Sequence, residues 1–503
     1  MKVCFLILIT FQIFFFSLSE DRLVFLYAHY RHGARAPLAI NDSFYDRFGE
    51  YWDNPGELTG VGQRMLYILG LKNREKYIKQ EKFLSEKFDP HEIYIHSTNY
   101  NRTMESGSSY LQWLYPISEH LGYTLTEEQK ELAYPPGNIS EDVQKAVNDL
   151  DVAALPYKMT LAPVRVIGDN DGEINVYAFD SWIEKMNEIR QQNNEISQLK
   201  DYIKNFNEKY AANWNKYFNK ETAEFDFNEI SSICDAFLSN YVEKKEMKEF
   251  KEKSGIDFDI LKEDCFDFFG KDFLYSFYGD KNKILAHVDS SKLLRKELYF
   301  MKRRLDADIT PENEDANLKD FSRPKMLMIS GHDSSVSADI LLLLYALGLN
   351  DTEVYYYPRY ASQFSLEVRT SKSKCSSYSD YYILGLLDQT ELFKVNAQEF
   401  IDKVGNEIWN QENVNDFCEL NSNLDDNTDN YEEKKDNAKT AYKVLLSIFI
   451  CTNSISIATT ILFAYKYYHA NKSMPPIDPK ANFNQNNVTK NSFNNMNEIW
   501  FLY

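Results

Sequence analysis

The chain has 503 residues, 44% of them hydrophobic and 15% aromatic, enough to bury a large core and to exclude a disordered tail or a fibre. Acidic residues outnumber basic ones 76 to 56, for a formal charge of -20, and no long basic tract offsets this, which excludes nucleic acid as a partner. An anionic ligand must therefore be held by a few converging arginines against an unfavourable overall field.

In chain order, residues 1–19 place Lys2 before an apolar run and end on small residues (Ser17, Ser19), as a cleaved signal peptide does; an uncleaved anchor is the alternative. Residues 23–28 (LVFLYA) predict a buried strand leading straight into His29-Tyr30-Arg31-His32-Gly33. Thr59 predicts the N-cap of a helix whose apolar face holds Met65, Leu66, Ile68 and Leu69. Residues 92–96 (EIYIH) alternate like a second strand, which opens into residues 97–103 and then a helix over 104–114. A helical insertion rich in Glu, Lys, Asn and Tyr is expected at about 126–324, with long polar helices such as 179–217. Residues 325–329 predict a third strand, ending in Ser330-Gly331-His332-Asp333 and followed by a helical run over 336–347. Late strands are expected at 354–357, 363–368 and 381–387, with a hairpin loop at 371–379. The folded domain should thus cover 20–419.

A flexible stalk is expected at 420–441, then a transmembrane helix at 442–465, whose core (444–464) carries no charge and is long enough to cross a bilayer; a buried core helix is the alternative. Lys466 and Lys472 would put a tail, 466–503, in the cytosol, although Lys443 weakens this asymmetry. These segments describe a single-pass type I membrane protein with its large domain luminal or extracellular, in a lysosome or phagosome or at the plasma membrane. Cys234, Cys265, Cys375 and Cys418 remain for that domain; Cys234–Cys265 with Cys375–Cys418 is favoured by proximity, and three connectivities are open. Asn41, Asn101, Asn138 and Asn350 head glycosylation sequons. A homodimer is left open.

Arg31, His32 and Arg35 fall within five residues at the mouth of a buried strand, where clustered cations are costly unless an anion sits among them. Arg102 follows the second strand, and His332 with Asp333 follows the third. Neighbouring parallel strands would bring all six side chains to one sheet edge. Three guanidinium groups neutralise a phosphate monoester and fix it for in-line attack. A neutral imidazole, His32, attacks phosphorus to give a phosphohistidine; Asp333 protonates the leaving oxygen and then serves as base toward water. His332 adds a hydrogen bond or charge to the phosphoryl oxygens, and no metal or other cofactor is required. His29 and His96 read as packed or loop-bonding histidines, and the run Tyr355 to Tyr357 as a half-buried strand.

These residues also resemble a known family. Arg31-His32-Gly33-Ala34-Arg35-Ala36-Pro37 is similar to the R-H-G-x-R-x-P signature of the histidine acid phosphatases, a branch (branch 2) of the histidine phosphatase superfamily that includes prostatic and lysosomal acid phosphatases and phytases. Gly56-Glu57-Leu58-Thr59 with Gly62 resembles its G-x-L-T-x-x-G, residues 97–103 its R-S-T-D-x-x-R-T segment, and Ser330-Gly331-His332-Asp333 its distal histidine motif. The resemblance covers roughly residues 23–417 and is weakest in the insertion. It implies an α/β fold with a mainly parallel central sheet flanked by helices, as in phosphoglycerate mutases, and a helical cap. It also implies an acid phosphatase acting on small phosphate monoesters, with His32 as nucleophile, Asp333 as proton donor and Arg31, Arg35, Arg102 and His332 as phosphate ligands. Two departures touch the pocket rim: His96 stands at the arginine of R-S-T, and Asn99 at the aspartate. A binder of phosphorylated ligands and a phosphomutase are the competing functions.

Overall fold

The computed structural model describes residues 21–38, 52, 54–119, 122–134, 140–166, 188–190, 192–193, 197–218, 224–245, 247–279, 281–311 and 324–417. The expected signal, stalk, membrane span and tail lie outside the described residues, as do Asn41, Asn138 and Cys418. No helix among the described residues is long and apolar enough to cross a membrane. Of the sequons, Asn101 and Asn350 are described, and both are exposed.

The strands are β1 (Arg22–Arg31), β2 (Ile93–Ser97), β3 (Arg165–Val166), β4 (Met326–Gly331), β5 (Gln363–Thr370), β6 (Tyr382–Leu387) and β7 (Thr390–Asn396), in one sheet of order β3-β2-β4-β1-β5-β6-β7. β1 is apolar or aromatic at nearly every position because it lies in mid-sheet with both faces covered. Leu26, Ala28, Tyr30, Met326, Met328, Ile93 and Ile95 share a core with α1 (Gly60–Asn73) and α2 (Asn101–Leu114). On the other face Tyr27, Leu327, Ile329, Phe364 and Leu366 share a core with two later helices described below.

The insertion has a core of its own. Helices α3 (Ser197–Phe218), α4 (Phe227–Val242), α5 (Lys248–Ser254) and α6 (Phe258–Lys271) enclose Phe206, Trp214, Phe237, Phe250 and Phe268. The Cys234–Cys265 disulfide ties α4 to α6, the pairing expected from proximity. Closing that 31-residue separation contributes roughly 3–4 kcal/mol in the chain-entropy picture. Helix α7 (Ile284–Ile309) falls inside the stretch assigned to the insertion, yet its buried face packs on the sheet together with α8 (Asp333–Leu347) and α9 (Ala397–Glu407). Cys375 is buried and makes no disulfide among the described residues.

The expectation of a mainly parallel sheet needs correction: β3, β2, β4 and β1 pair in parallel, whereas β1, β5, β6 and β7 pair antiparallel. β7 was not expected. It follows β6 through Asp388 and Gln389, whose φ angles of 51° and 72° are those a two-residue hairpin needs, without the usual glycine or asparagine to announce it. Conversely, no strand forms over 354–357. A helical turn, Asp351–Val354, capped by the Asn350 side chain, is followed by an extended segment that runs to the sheet edge.

Candidate active site

The register of the three central parallel strands aligns their C-terminal ends. Arg31 lies opposite Gly331 across β1 and β4, and Ser97 opposite Ser330 across β2 and β4, so the chain leaves the sheet side by side at His32, His332 and Thr98. The His32 amide donates to the Gly331 carbonyl (2.9 Å), and the Thr98 amide to that of Ser330 (3.2 Å). Three polar loops distant along the chain thereby become one edge.

The loop after β1 is pressed against the start of α1. Thr59 is its N-cap as expected, accepting from the Gly62 amide (3.1 Å), while the Thr59 amide donates to the Ala34 carbonyl (3.0 Å). A Cβ on Gly33 would stand 2.2 Å from the Gly62 oxygen, and one on Gly62 would stand 2.1 Å from the Ala34 oxygen, so both motifs need glycine for one backbone contact. Gly62→Ala is expected to displace the loop and lower kcat/KM for a phosphate monoester by about a hundredfold; unchanged kinetics would show that the loop tolerates the shift.

His32 is buried, and its Nδ1 lies 2.8 Å from its neighbour Gly33's carbonyl oxygen. A carbonyl only accepts, so Nδ1 carries the proton and Nε2 keeps the lone pair. Burial, then the charges of Arg31, His332, Arg35 and Arg102, hold the imidazole far below its usual pKa, so it stays neutral in acid. His332 stands edge-on to it, with ring centroids 5.5 Å apart. The Thr103 hydroxyl donates to the Tyr100 carbonyl and accepts from Thr98, whose oxygen must then receive the His332 Nε2 proton (2.9 Å). Burial, and after it the charge of Arg102, pushes the His332 pKa down to about 3.

The arginines converge as expected. Arg31 pairs with Asp333 (2.8 Å), donates to the Tyr357 hydroxyl (2.9 Å) and lies over the Tyr360 ring, 4.3 Å from its centroid. Arg35 forms a two-pronged pair with Asp235 of α4 (2.9 and 3.3 Å). Arg102 lies over Tyr100, and burial, then repulsion from Arg35, lower its pKa. The Nε groups of Arg31 and Arg102 are buried without a hydrogen-bond partner among the described residues, an arrangement that favours an anion between them. Burial alone would raise the Asp333 carboxyl, but Arg31, the Tyr357 hydroxyl (2.7 Å), Arg35 and His332 outweigh it and hold it below the usual range.

All six expected site residues therefore meet at one place. Sequence reasoning passed over four others. Tyr357 and Tyr360 lay in a tyrosine-rich run read as strand, Thr98 carried no signal beyond its motif, and Asp235 sits in an insertion without motifs. His29 is packed, as expected, but in a particular setting: its Nδ1 meets the buried Asp339 (2.7 Å) and its Nε2 meets Ser335 Oγ (3.1 Å), which accepts from the His332 amide. This props the first turn of α8, where Asp333 sits. His29→Leu is expected to cost roughly 2–4 kcal/mol in denaturant unfolding, because Asp339 loses a buried partner; a loss under about 1 kcal/mol would show that the contact is dispensable. His96 departs from expectation. It bonds no loop: both ring nitrogens lack partners among the described residues, the ring stacks on Tyr94, and burial, then Lys296, lowers its pKa to about 3.

Comparison with known proteins agrees with this geometry. The chain is 39% identical over 103 residues to human testicular acid phosphatase, and 35% identical over 100 residues to lysosomal acid phosphatase of Xenopus laevis. Each alignment covers 20% of this chain, with 24% and 22% of the respective relatives, so the chain matches about a quarter of the length of its curated relatives. The phytase of Citrobacter braakii superposes with a TM-score of 0.50 over 79% of this chain and 99% of that one at 13% identity, a likeness of fold. The family model for the histidine phosphatase superfamily (branch 2) matches residues 22–387. With its strand-end histidines and arginines gathered as described, the chain belongs to branch 2 of the histidine phosphatase superfamily.

Proposed function

We propose that this protein is an acid phosphatase that hydrolyses small phosphate monoesters through a phosphohistidine on His32. The observation that carries the reading is a buried, neutral imidazole set among three guanidinium groups, with its Nδ1 proton committed to the Gly33 carbonyl. Arg31, Arg35 and Arg102 receive the phosphoryl oxygens, with His332 beside them. The Nε2 lone pair forms the N–P bond as the P–O bond to the leaving group breaks, and Asp333 gives that oxygen its proton. Water then attacks phosphorus, Asp333 takes up its proton, and the N–P electrons return to His32. The cations are side chains, so turnover is expected to persist in chelator.

In this structure Arg31 and Tyr357 hold the Asp333 carboxyl ionised, so an already protonated donor, the sequence-based expectation, does not describe the empty site. An arriving phosphate takes Arg31 for itself and adds negative charge, both of which raise the Asp333 pKa. The depressed value governs kcat/KM and the raised one kcat, so kcat should persist to higher pH than kcat/KM does. Coincident basic limbs in the two profiles would rule this exchange out.

Supports for a luminal or cell-surface location are the Cys234–Cys265 disulfide, which suits an oxidising compartment, and the leader-like and span-like segments at 1–19 and 442–465. The deciding experiment is rapid acid-free quenching with a labelled monoester. A label on the protein that base leaves and acid removes, and that passes to water in preference to a second sugar phosphate, is the expected result. No label, or transfer to the sugar, would overturn the reading.

A further inference from the structure

The inference concerns the side of the proposed site where the leaving group must lie, and it rests on the phosphatase reading above. Between the phosphate ligands and the insertion is a cavity of about 310 Å³. Arg31, Arg35 and Asp333 form one end, and Phe266, Phe269, Phe273 and Leu238 supply an apolar wall. That wall is fixed: Tyr357 stacks between Phe269 and Phe273, at 6.0 and 5.8 Å, and the Cys234–Cys265 disulfide binds together the two helices that bring Leu238 and Phe266. The volume lies near the lower bound for ligand pockets, roughly 300–1,000 Å³, which gives room for one ring but not for a ring crowded with phosphates.

The charges on the wall decide the rest. Two carboxyls from the insertion side, Asp235 and the buried Asp272, line the cavity. Among the described lining residues the cations are Arg31 and Arg35, already facing Asp333 and Asp235 and required for the phosphoryl group. Asp272 does meet Arg190 (3.4 Å), which is not among the lining residues. A second phosphate or a carboxylate on the leaving group would lose its water against phenyl rings and come to rest beside two carboxyls. An ammonium there would find partners, and a neutral ring would find a surface to stack on.

We propose that this cavity is a leaving-group subsite that accepts a single ring, neutral or positively charged, and turns away leaving groups that carry a second anion, with Asp272 and Asp235 as the specificity-determining residues. Burial, opposed by Arg190 and Ser276 and aided by Asp333, lifts the Asp272 pKa to about 6. The discrimination should therefore strengthen as pH rises through that value and Asp272 ionises. The other titratable groups facing the cavity, Asp235, Asp333, Arg31, Arg35, Tyr357 and Tyr360, are common to all substrates compared.

The test uses phenyl phosphates bearing a para methyl, aminomethyl or carboxylate group, with the full-length protein. The expected order of kcat/KM near pH 7 is aminomethyl and methyl above carboxylate, with an ammonium-to-carboxylate ratio of about tenfold or more that shrinks near pH 5. Asp272→Asn should collapse the ratio near pH 7, whatever its absolute rate. Because the pH comparison needs only the unaltered protein, a variant that does not fold leaves the question decidable. Equal turnover of the ammonium and carboxylate esters, or a ratio indifferent to both pH and Asp272→Asn, overturns the subsite. Should none of the three be hydrolysed, the phosphatase reading falls instead, and calorimetric affinities for the same three esters judge the subsite by the same order.

Discussion

His32→Ala is expected to lower kcat for an aryl phosphate by about ten-thousandfold and to abolish the labelled protein intermediate. Only Nε2 of this imidazole is argued to bond to phosphorus, and no other side chain at the edge offers a neutral nucleophile. His332 has committed its Nε2 proton to Thr98. The arginines, Asp333 and the fold remain in the variant, so phosphate should still bind. Steady-state kinetics with a circular dichroism control decides the matter. Turnover within about tenfold of the parent would sink the covalent mechanism.

Asp333→Asn has the second largest expected effect. The amide keeps the size of the group but has no proton to give a leaving alkoxide. An alkyl phosphate should therefore slow by about a hundredfold to ten-thousandfold, and a dinitrophenyl phosphate, whose leaving group is stable unprotonated, by much less. Arg31 would also lose its carboxylate partner, so phosphate should bind the variant more tightly than the parent as a product inhibitor. Equal slowing of the two esters would remove Asp333 from proton transfer.

The site was far more legible in the sequence than the sheet around it. β1, β2 and β4 announce themselves because each is a short apolar run that ends in a loop dense with charge and small residues. Such loops at the ends of parallel strands have little choice of place. The antiparallel half was misjudged for local reasons. The turn of β6 into β7 uses Asp388 and Gln389 at positive φ, stabilised by Asp388 side-chain bonds to Ser362 and the Gln363 amide that no local pattern could reveal. The tyrosines near 355–357 have strand propensity, but the Asn350 cap and contacts with Asp333 and Arg31 decide their conformation, and both are tertiary facts. Asp235 was invisible for a different reason. Its partner, Arg35, lies two hundred positions away, and nothing in α4 distinguishes this carboxylate from the many solvated ones of the insertion.

That grip of α4 on Arg35 has a consequence for how such proteins diverge. A segment that touched only the leaving group could be exchanged between relatives as an interchangeable module, altering preference and nothing else. Here the module also holds a guanidinium of the reaction centre, and its Asp235 accepts from the Leu38 amide just beyond the motif. Grafting it elsewhere, or a foreign one here, should carry a change in turnover along with any change in taste, so the two properties are inherited together.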